Sequence, residues 1–232
     1  MSPGKRVSVY MTINAIYKTI IFDCDGVVLN SNKIKTSAFY AVASRHYGPS
    51  AAKLLVDYHV ENGGVSRYKK FEWLLKSLKI FEDVSSTVRN LSQEYSEEVY
   101  LGLQQCEIAP DLKAFREISR SRWLIVSGGD QDELRKVFNE RNIIDYFDGG
   151  VFGSPDAKEE ILKREFEKGN AVKPALFIGD SKYDYIASLS AKIDFVFLNR
   201  WTEFSGWCGY CSKHSISVVS TLEELSSRIY DS

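Results

Sequence analysis

The chain lacks a surplus of charge of either sign: 30 Lys and Arg stand against 31 Asp and Glu, a formal net charge of −1. No global field therefore favours nucleic acid or an anionic membrane surface, and neither is expected as a partner. It lacks an apolar run near the roughly 20 residues that a membrane-spanning helix requires. Four cysteines in 232 residues are too few for a disulfide scaffold, so a reducing cytoplasm is the expected compartment. Internal repeats and low-complexity stretches are missing too. Near the start, Lys5 and Arg6 precede a stretch interrupted by polar residues, without a convincing small-residue cleavage site, so no signal peptide is expected. Residues 1–10 read as an added extension, because Met11 can serve as a start. What remains is an ordinary composition, 44% hydrophobic and 26% charged, long enough for one large domain or a core with an insert.

The most informative stretch is Lys18-Thr-Ile-Ile-Phe-Asp-Cys-Asp-Gly26. An apolar run, Ile20 to Phe22, leads directly into two aspartates, Asp23 and Asp25. Two carboxylates at the end of a buried strand repel each other and are costly to desolvate without a partner. A cation held where the strand ends relieves both costs. The chemistry then available is attack by the Asp23 carboxylate, with Asp25 donating and accepting a proton.

Further short apolar runs follow at Trp123–Val126, Gly150–Phe152, Ala175–Ile178, Phe195–Leu198 and Ile216–Val219. Helical patterns lie between several of them, as at Asp132–Glu140 and Lys158–Lys168. Fully apolar strands alternating with helices predict an α/β fold, a doubly wound parallel sheet covered on both faces. Ligands bind such sheets beyond the carboxyl ends of the strands. Residues 33–105 differ: Lys33–Tyr47, Ser50–Val60, Ser66–Lys79 and Ser85–Leu103 all show helical spacing, with breaks at Gly48-Pro49, Asn62-Gly63-Gly64 and Glu82-Asp83. The expected organisation is a core of residues 1–32 and 106–232, its first 16 residues an extension, with an inserted four-helix cap over 33–105. A final helix should start at Ser220 or Thr221.

Three more groups sit at strand ends. Ile125-Val-Ser127-Gly128-Gly-Asp130 brings a hydroxyl and free N–H groups, a combination suited to an anion. Gly153-Ser-Pro-Asp-Ala-Lys158 places an ammonium at the start of a helix. Phe177-Ile-Gly-Asp180-Ser-Lys-Tyr-Asp184 supplies two carboxylates one helical turn apart. Hard oxygen ligands, a hydroxyl, a cation and backbone donors suit Mg²⁺ and phosphoryl transfer, which depends mainly on positioning and charge neutralisation.

From about Tyr17 onward these motifs, in this order, resemble the haloacid dehalogenase superfamily, in particular its phosphatases with a helical cap inserted after the first motif. The subfamily in view is that of phosphoglycolate phosphatase and β-phosphoglucomutase. The resemblance implies Asp23 as the nucleophile that becomes an aspartyl-phosphate and Asp25 as general acid and then base. It implies Mg²⁺ held by Asp23, the Asp25 carbonyl and Asp180, with Asp184 near or in the shell. It implies that Ser127, the Gly128 N–H and Lys158 bind the phosphoryl group. Lys158 departs from relatives that place the lysine directly before a proline, and Lys163 and Lys173 are alternatives. The expected substrate is a small phosphorylated metabolite, and the protein a monomer or homodimer. A sugar-phosphate mutase is the nearest alternative, favoured by the Gly64-Val-Ser-Arg67 stretch.

Several residues carry plainer readings alongside. Ser127 can cap the next helix, Asp184 can be a helix-face acid, and Lys158 can be solvated. Arg67, in the cap loop Asn62–Lys70, is the chosen substrate-selectivity residue, with a solvated helix start as its alternative. Trp207-Cys208-Gly-Tyr-Cys211 resembles a redox dithiol, yet is expected in a loop between two strands; with His214 it could instead begin a zinc site, but a fourth ligand is lacking nearby. His46 and His59 read as surface or packing residues.

Overall fold

The computed structural model describes residues 17–230, and the expected N-terminal extension lies outside them. The chain enters through strand β1 (Thr19–Phe22) and then forms three helices in succession, α1 (Asn32–Glu61), α2 (Arg67–Ser77) and α3 (Val84–Gln105). After α4 (Leu112–Ile118), strands and helices alternate: β2 (Arg122–Asp130), α5 (Gln131–Glu140), β3 (Gly150–Ser154), α6 (Lys158–Glu167), β4 (Ala175–Gly179), α7 (Lys182–Ala191) and β5 (Asp194–Leu198). The chain ends with α8 (Trp207–His214), β6 (Ser217–Val219) and α9 (Leu222–Tyr230).

The strands form one parallel sheet in the order β3-β2-β1-β4-β5-β6. Strand β1 is central, with Phe22 opposite Ile125 of β2 and Ile178 of β4. Because all strands run the same way, residues 23, 127–128, 155–158 and 180 emerge on one edge. The order reverses at β1, where the loops after β1 and β4 part and leave a crevice. Alternation along β1 sends Ile20 and Phe22 to one face and Ile21 to the other. On the first face Phe22 meets Phe115, Trp123 and Phe147, with ring centroids 4.6–6.2 Å apart. On the second, Ile21 packs with Leu124, Val126, Phe177 and Ile161 of α6. Burial on both faces is why the strands read as continuous apolar runs.

The helical insert follows its periodicity. Val88, Leu91, Tyr95, Val99 and Leu103 form the buried stripe of α3, and Phe71, Leu74 and Leu75 that of α2. Phe39 of α1 joins them, 5.4 Å from the Phe71 ring and 4.3 Å from Tyr95. The two helices expected over 33–60 run on as α1 through a break at Gly48, whose φ of 81° and ψ of 170° interrupt the helix just before Pro49. Polar contacts tie the insert to the sheet layer: Tyr68 donates to Asp130 (2.8 Å) and Tyr100 to Glu140. At the carboxyl terminus Thr221 caps α9 by accepting from the Glu224 N–H at 3.0 Å.

One local expectation is corrected. The Cys208–Cys211 segment is helical, in α8, and not a loop. Its eight residues carry Gly209 and little apolar periodicity, so the pattern did not announce a helix. Cys208 is exposed and Cys211 buried, both as free thiols, and burial pushes the Cys211 thiol up to about 11, away from the reactive thiolate form.

Candidate active site

The turn after β1 is shaped by Gly26. Its φ of +75° is costly for residues with a side chain, and a Cβ there would lie 2.0 Å from Asp180 Oδ2 and 2.4 Å from Asn32 Nδ2. The Val28 and Leu29 N–H groups both donate to the Cys24 carbonyl, closing the turn. As a result Asp23 and Asp25 face different partners although only one residue separates them.

Asp23 is 2% exposed. Its Oδ1 accepts from the Cys24 N–H at 2.7 Å and lies 2.8 Å from Lys158 Nζ. Burial raises Asp23 to about 7 against the pull of Lys158, and the charges of Asp184 and Asp25 add to the rise. Asp25 accepts from Ser31 Oγ and Lys35 Nζ, each at 2.6 Å. Burial works against its charged form as well, but the Lys35 ammonium and the Ser31 hydroxyl hold Asp25 below the ordinary carboxylate range.

Lys158, the first residue of α6, is buried between two carboxylates: Asp23 on one side and Asp184 Oδ1, 2.5 Å away, on the other. These carboxylates overcome the desolvation of the ammonium and keep it charged. The solvated reading of Lys158 is thereby excluded. Lys163 pairs with Glu167, and Lys173 donates to the Ala191 carbonyl, both away from the sheet edge. Asp184 is fully buried, no ordinary helix-face acid. Its Oδ2 accepts from the Asp180 and Ser181 N–H groups and from Ser181 Oγ. Asp184 therefore binds Lys158 to the loop that carries Asp180.

Asp180 accepts from Asn32 Nδ2 at 2.8 Å, and its carbonyl from Thr202 Oγ1. Burial, reinforced by Asp23 and Asp184, pushes Asp180 well above the ordinary carboxylate range. Among the described residues Asp23, Asp180 and Asp184 form the one group of three or more His, Cys, Asp or Glu in which one ligand atom from each lies within 4.8 Å of the others. Around them four carboxylates (Asp23, Asp25, Asp180 and Asp184) meet two ammonium groups in direct contact, Lys35 and Lys158. The two uncompensated negative charges and the hard oxygen donors fit one divalent cation. Cys208, Cys211 and His214 form no such group.

Ser127 is fully buried, and its Oγ accepts from the Gly129 N–H at 3.1 Å. The cap of α5 is Asp130, which accepts from the Asp132 and Glu133 N–H groups, so the capping role considered for Ser127 belongs elsewhere. Gly128 lies under the insert: a Cβ on it would fall 1.9 Å from the Gly64 carbonyl oxygen.

Arg67 does begin α2 but is not solvated. It is 4% exposed and lines the same cavity as Asp23, Asp25 and Asp180. Its guanidinium grips both oxygens of Glu133 in α5, at 2.6 and 3.1 Å, donates to Ser96 and sits 4.8 Å from the centre of the Tyr95 ring. Sequence reasoning passed over Lys35, Ser31, Asn32 and Glu133. Ser31, Asn32 and Lys35 span one helical turn just after the aspartates, a clustering that could have drawn attention to them. Lys70, the last residue of the cap loop Asn62–Lys70 in which Arg67 was chosen, lines the same cavity, and His59, read as surface or packing, packs on Phe39 while lining it too.

The profile of the haloacid dehalogenase-like hydrolases matches residues 17–192. No curated protein matches the chain. Among solved structures, a Clostridium acetobutylicum protein described as a predicted phosphatase aligns with a TM-score of 0.72 at 15% identity, over 94% of this chain and 100% of its own. A candidate β-phosphoglucomutase from Bacteroides vulgatus aligns at 0.71 and 17%, over 94% and 88%. A candidate phosphoglycolate phosphatase from Lactobacillus plantarum aligns at 0.68 and 20%, over 93% and 100%. At these identities the likeness is one of fold.

Proposed function

This chain belongs to the haloacid dehalogenase-like hydrolases, and from that premise we propose that it is a Mg²⁺-dependent phosphatase acting on a small phosphate monoester through an aspartyl-phosphate. The observation that carries the reading is the division of labour between Asp23 and Asp25. One is aligned by Lys158 and a backbone N–H, the other paired with a proton-bearing Lys35.

Asp23 attacks phosphorus, and the bond to the leaving oxygen breaks. Lys158, and with it Ser127 and the Gly128 N–H, hold the transferring phosphoryl oxygens. The leaving oxygen becomes far more basic as its bond breaks, and it takes a proton through Asp25 from the Asp25–Lys35 pair. Asp25 then takes a proton from the water that attacks the aspartyl-phosphate and returns it to Lys35, so inorganic phosphate is released and both carboxylates and the Lys35 ammonium are restored. Asp23, the Asp25 carbonyl and Asp180 would hold Mg²⁺, which would supply charge neutralisation for the phosphoryl group. Asp184 keeps Lys158 in register beside Asp23.

In this reading residues 33–105 are the cap and residues 17–32 and 106–230 the catalytic core. The four free cysteines support a reducing, cytoplasmic setting. Among the described residues no helix is long and apolar enough to cross a membrane. A mutase reading draws on one observation, the Arg67–Glu133 clasp that draws the cap over the cavity and would limit access of water. Incubation with phosphorylated metabolites, with and without Mg²⁺, separates the two. Release of inorganic phosphate identifies the phosphatase, and an isomerised sugar phosphate without release identifies the mutase. Asp23→Asn should abolish either reaction in a folded protein. Retention of a tenth of the turnover, a loss of only about 1.4 kcal/mol in barrier, would refute covalent catalysis by Asp23.

A further inference from the structure

Four cations are buried among the described residues, and three have carboxylates: Lys35 with Asp25, Lys158 with Asp23 and Asp184, Arg67 with Glu133. The fourth, Lys70, has none. It lies one turn into α2, 2% exposed, with Nζ 2.6 Å from His59 Nδ1 and 5.5 Å from the centre of the Phe39 ring. Both Lys70 and His59 line the cavity that holds Asp23, Asp25 and Asp180. They belong to the cap wall, on α2 and α1, whereas the aspartates belong to the sheet edge. A phosphate ester with its phosphoryl group at Asp23 would direct its leaving portion towards that wall.

Resting on the phosphatase reading, we propose that Lys70, backed by His59, receives a second anionic group on the leaving portion of the substrate. An ammonium enclosed by an imidazole and a phenyl ring is poorly stabilised without a counter-charge. The groups that act on it are His59 and Lys35 from α1, Asp23 and Asp25 from the loop after β1, and Lys158 from α6. Lys35 and Lys158 already neutralise the two aspartates. Burial, reinforced by Lys70 and Lys35, holds His59 well below its ordinary range, so the imidazole is neutral. Burial together with Lys35 lowers Lys70 to about 7. A carboxylate or a second phosphate in the cavity supplies the missing charge, and a charge-assisted hydrogen bond forms as the amine takes up a proton. A leaving portion with no charge leaves Lys70 unsatisfied, so the enzyme discriminates in favour of doubly anionic substrates.

Calorimetric binding of non-hydrolysable phosphonates to the Mg²⁺-loaded protein tests this without relying on turnover. 3-Phosphonopropanoate should bind about 10- to 100-fold more tightly than propylphosphonate. Propane-1,3-diphosphonate shows whether a second phosphate does as well as a carboxylate. Between buffers of different ionisation enthalpy at pH 8, the doubly anionic ligand should take up more protons than its neutral-tailed match. In Lys70→Met the affinity ratio should fall towards one, and Lys70→Arg should restore part of it. Equal affinities in the native protein, a ratio unchanged by Lys70→Met, or no binding of any phosphonate would overturn the proposal. The wild-type ratio alone decides if the variants do not fold. Equal affinities alongside hydrolysis of para-nitrophenyl phosphate would overturn the subsite and leave the phosphatase reading standing. Selective binding with no hydrolysis of any ester would do the reverse.

Discussion

Gly128→Ala tests whether the helical insert must seat on the sheet edge for turnover. An alanine Cβ would lie 1.9 Å from the Gly64 carbonyl oxygen and 2.7 Å from its carbon, against the 3.4 Å at which ordinary contact begins. Relief therefore needs a separation of about 1.5 Å, the difference between 3.4 and 1.9 Å. The obstacle is backbone, so no rotamer change removes it. Gly128 has no positive φ, so alanine meets no conformational penalty of its own there. Its strand, β2, is hydrogen-bonded between β1 and β3 and fully buried from Leu124 to Ser127. The part that yields should be the Gly63–Gly64 loop, which leads through Ser66, the cap of α2, to Arg67 and Lys70. A displacement near 1 Å in a reacting assembly costs about 100-fold in rate, or about 2.7 kcal/mol. The expected result is a fall of about 100-fold in kcat/KM for para-nitrophenyl phosphate. Overpacking of about 1–3 kcal/mol should lower Tm by roughly 2–12 °C in a protein of this size, with a cooperative transition retained. Steady-state kinetics and thermal unfolding followed by circular dichroism measure both. Turnover within threefold of the native protein would refute the reasoning, because the cap would then act without contact at Gly64.

Chelation with excess EDTA should abolish activity and Mg²⁺ restore it, while Ca²⁺ should inhibit because its looser shell engages both oxygens of Asp23; full activity in EDTA would remove the metal from the mechanism. Arg67→Met or Glu133→Gln should each destabilise the fold by about 3–5 kcal/mol, since each leaves one charge of a buried pair uncompensated, and the double variant should lose less than the sum. Additive losses in urea titrations would show that the two side chains act separately. Ligand-free stability should also respond to Lys70, whose amine releases its proton near pH 7 in the fold against 10.5 for an unperturbed lysine. The unfolded chain binds the extra proton between those values, so the cost is fully present below pH 7 and fades as pH rises, by at most about 1.4 kcal/mol per pH unit. Relative to Lys70→Met, the native protein should gain stability from pH 7 to 9, and a constant difference would count against the shift.

What the sequence by itself determined is local. An apolar run ending in Asp23-Cys24-Asp25-Gly26 is legible because covalent neighbours stay neighbours in any fold. The strands and the stripe Phe71, Leu74, Leu75 are legible because burial imposes a period on whichever face turns inward. Parallel strands place their carboxyl ends on one edge, so Asp23, Ser127, Lys158 and Asp180 converge once the α/β alternation is recognised. The helix at Trp207–His214 was missed because eight residues with little apolar periodicity carry no such signal. Tertiary structure alone decided who pairs with whom. Arg67 has the composition of a solvated helix start, and only the seating of the helical insert against the sheet layer delivers it to Glu133, 66 residues later. Lys35 could have faced water but is turned onto Asp25. Lys70 differs from its neighbour Lys69 only in direction: one is exposed, and the other is enclosed with His59 beside the cavity. Periodicity says which face of a helix is buried, but the atom across the interface comes from a distant part of the chain. Charge is the property most sensitive to that atom, because a buried ammonium is stable or costly according to whether a carboxylate lies within a few ångströms.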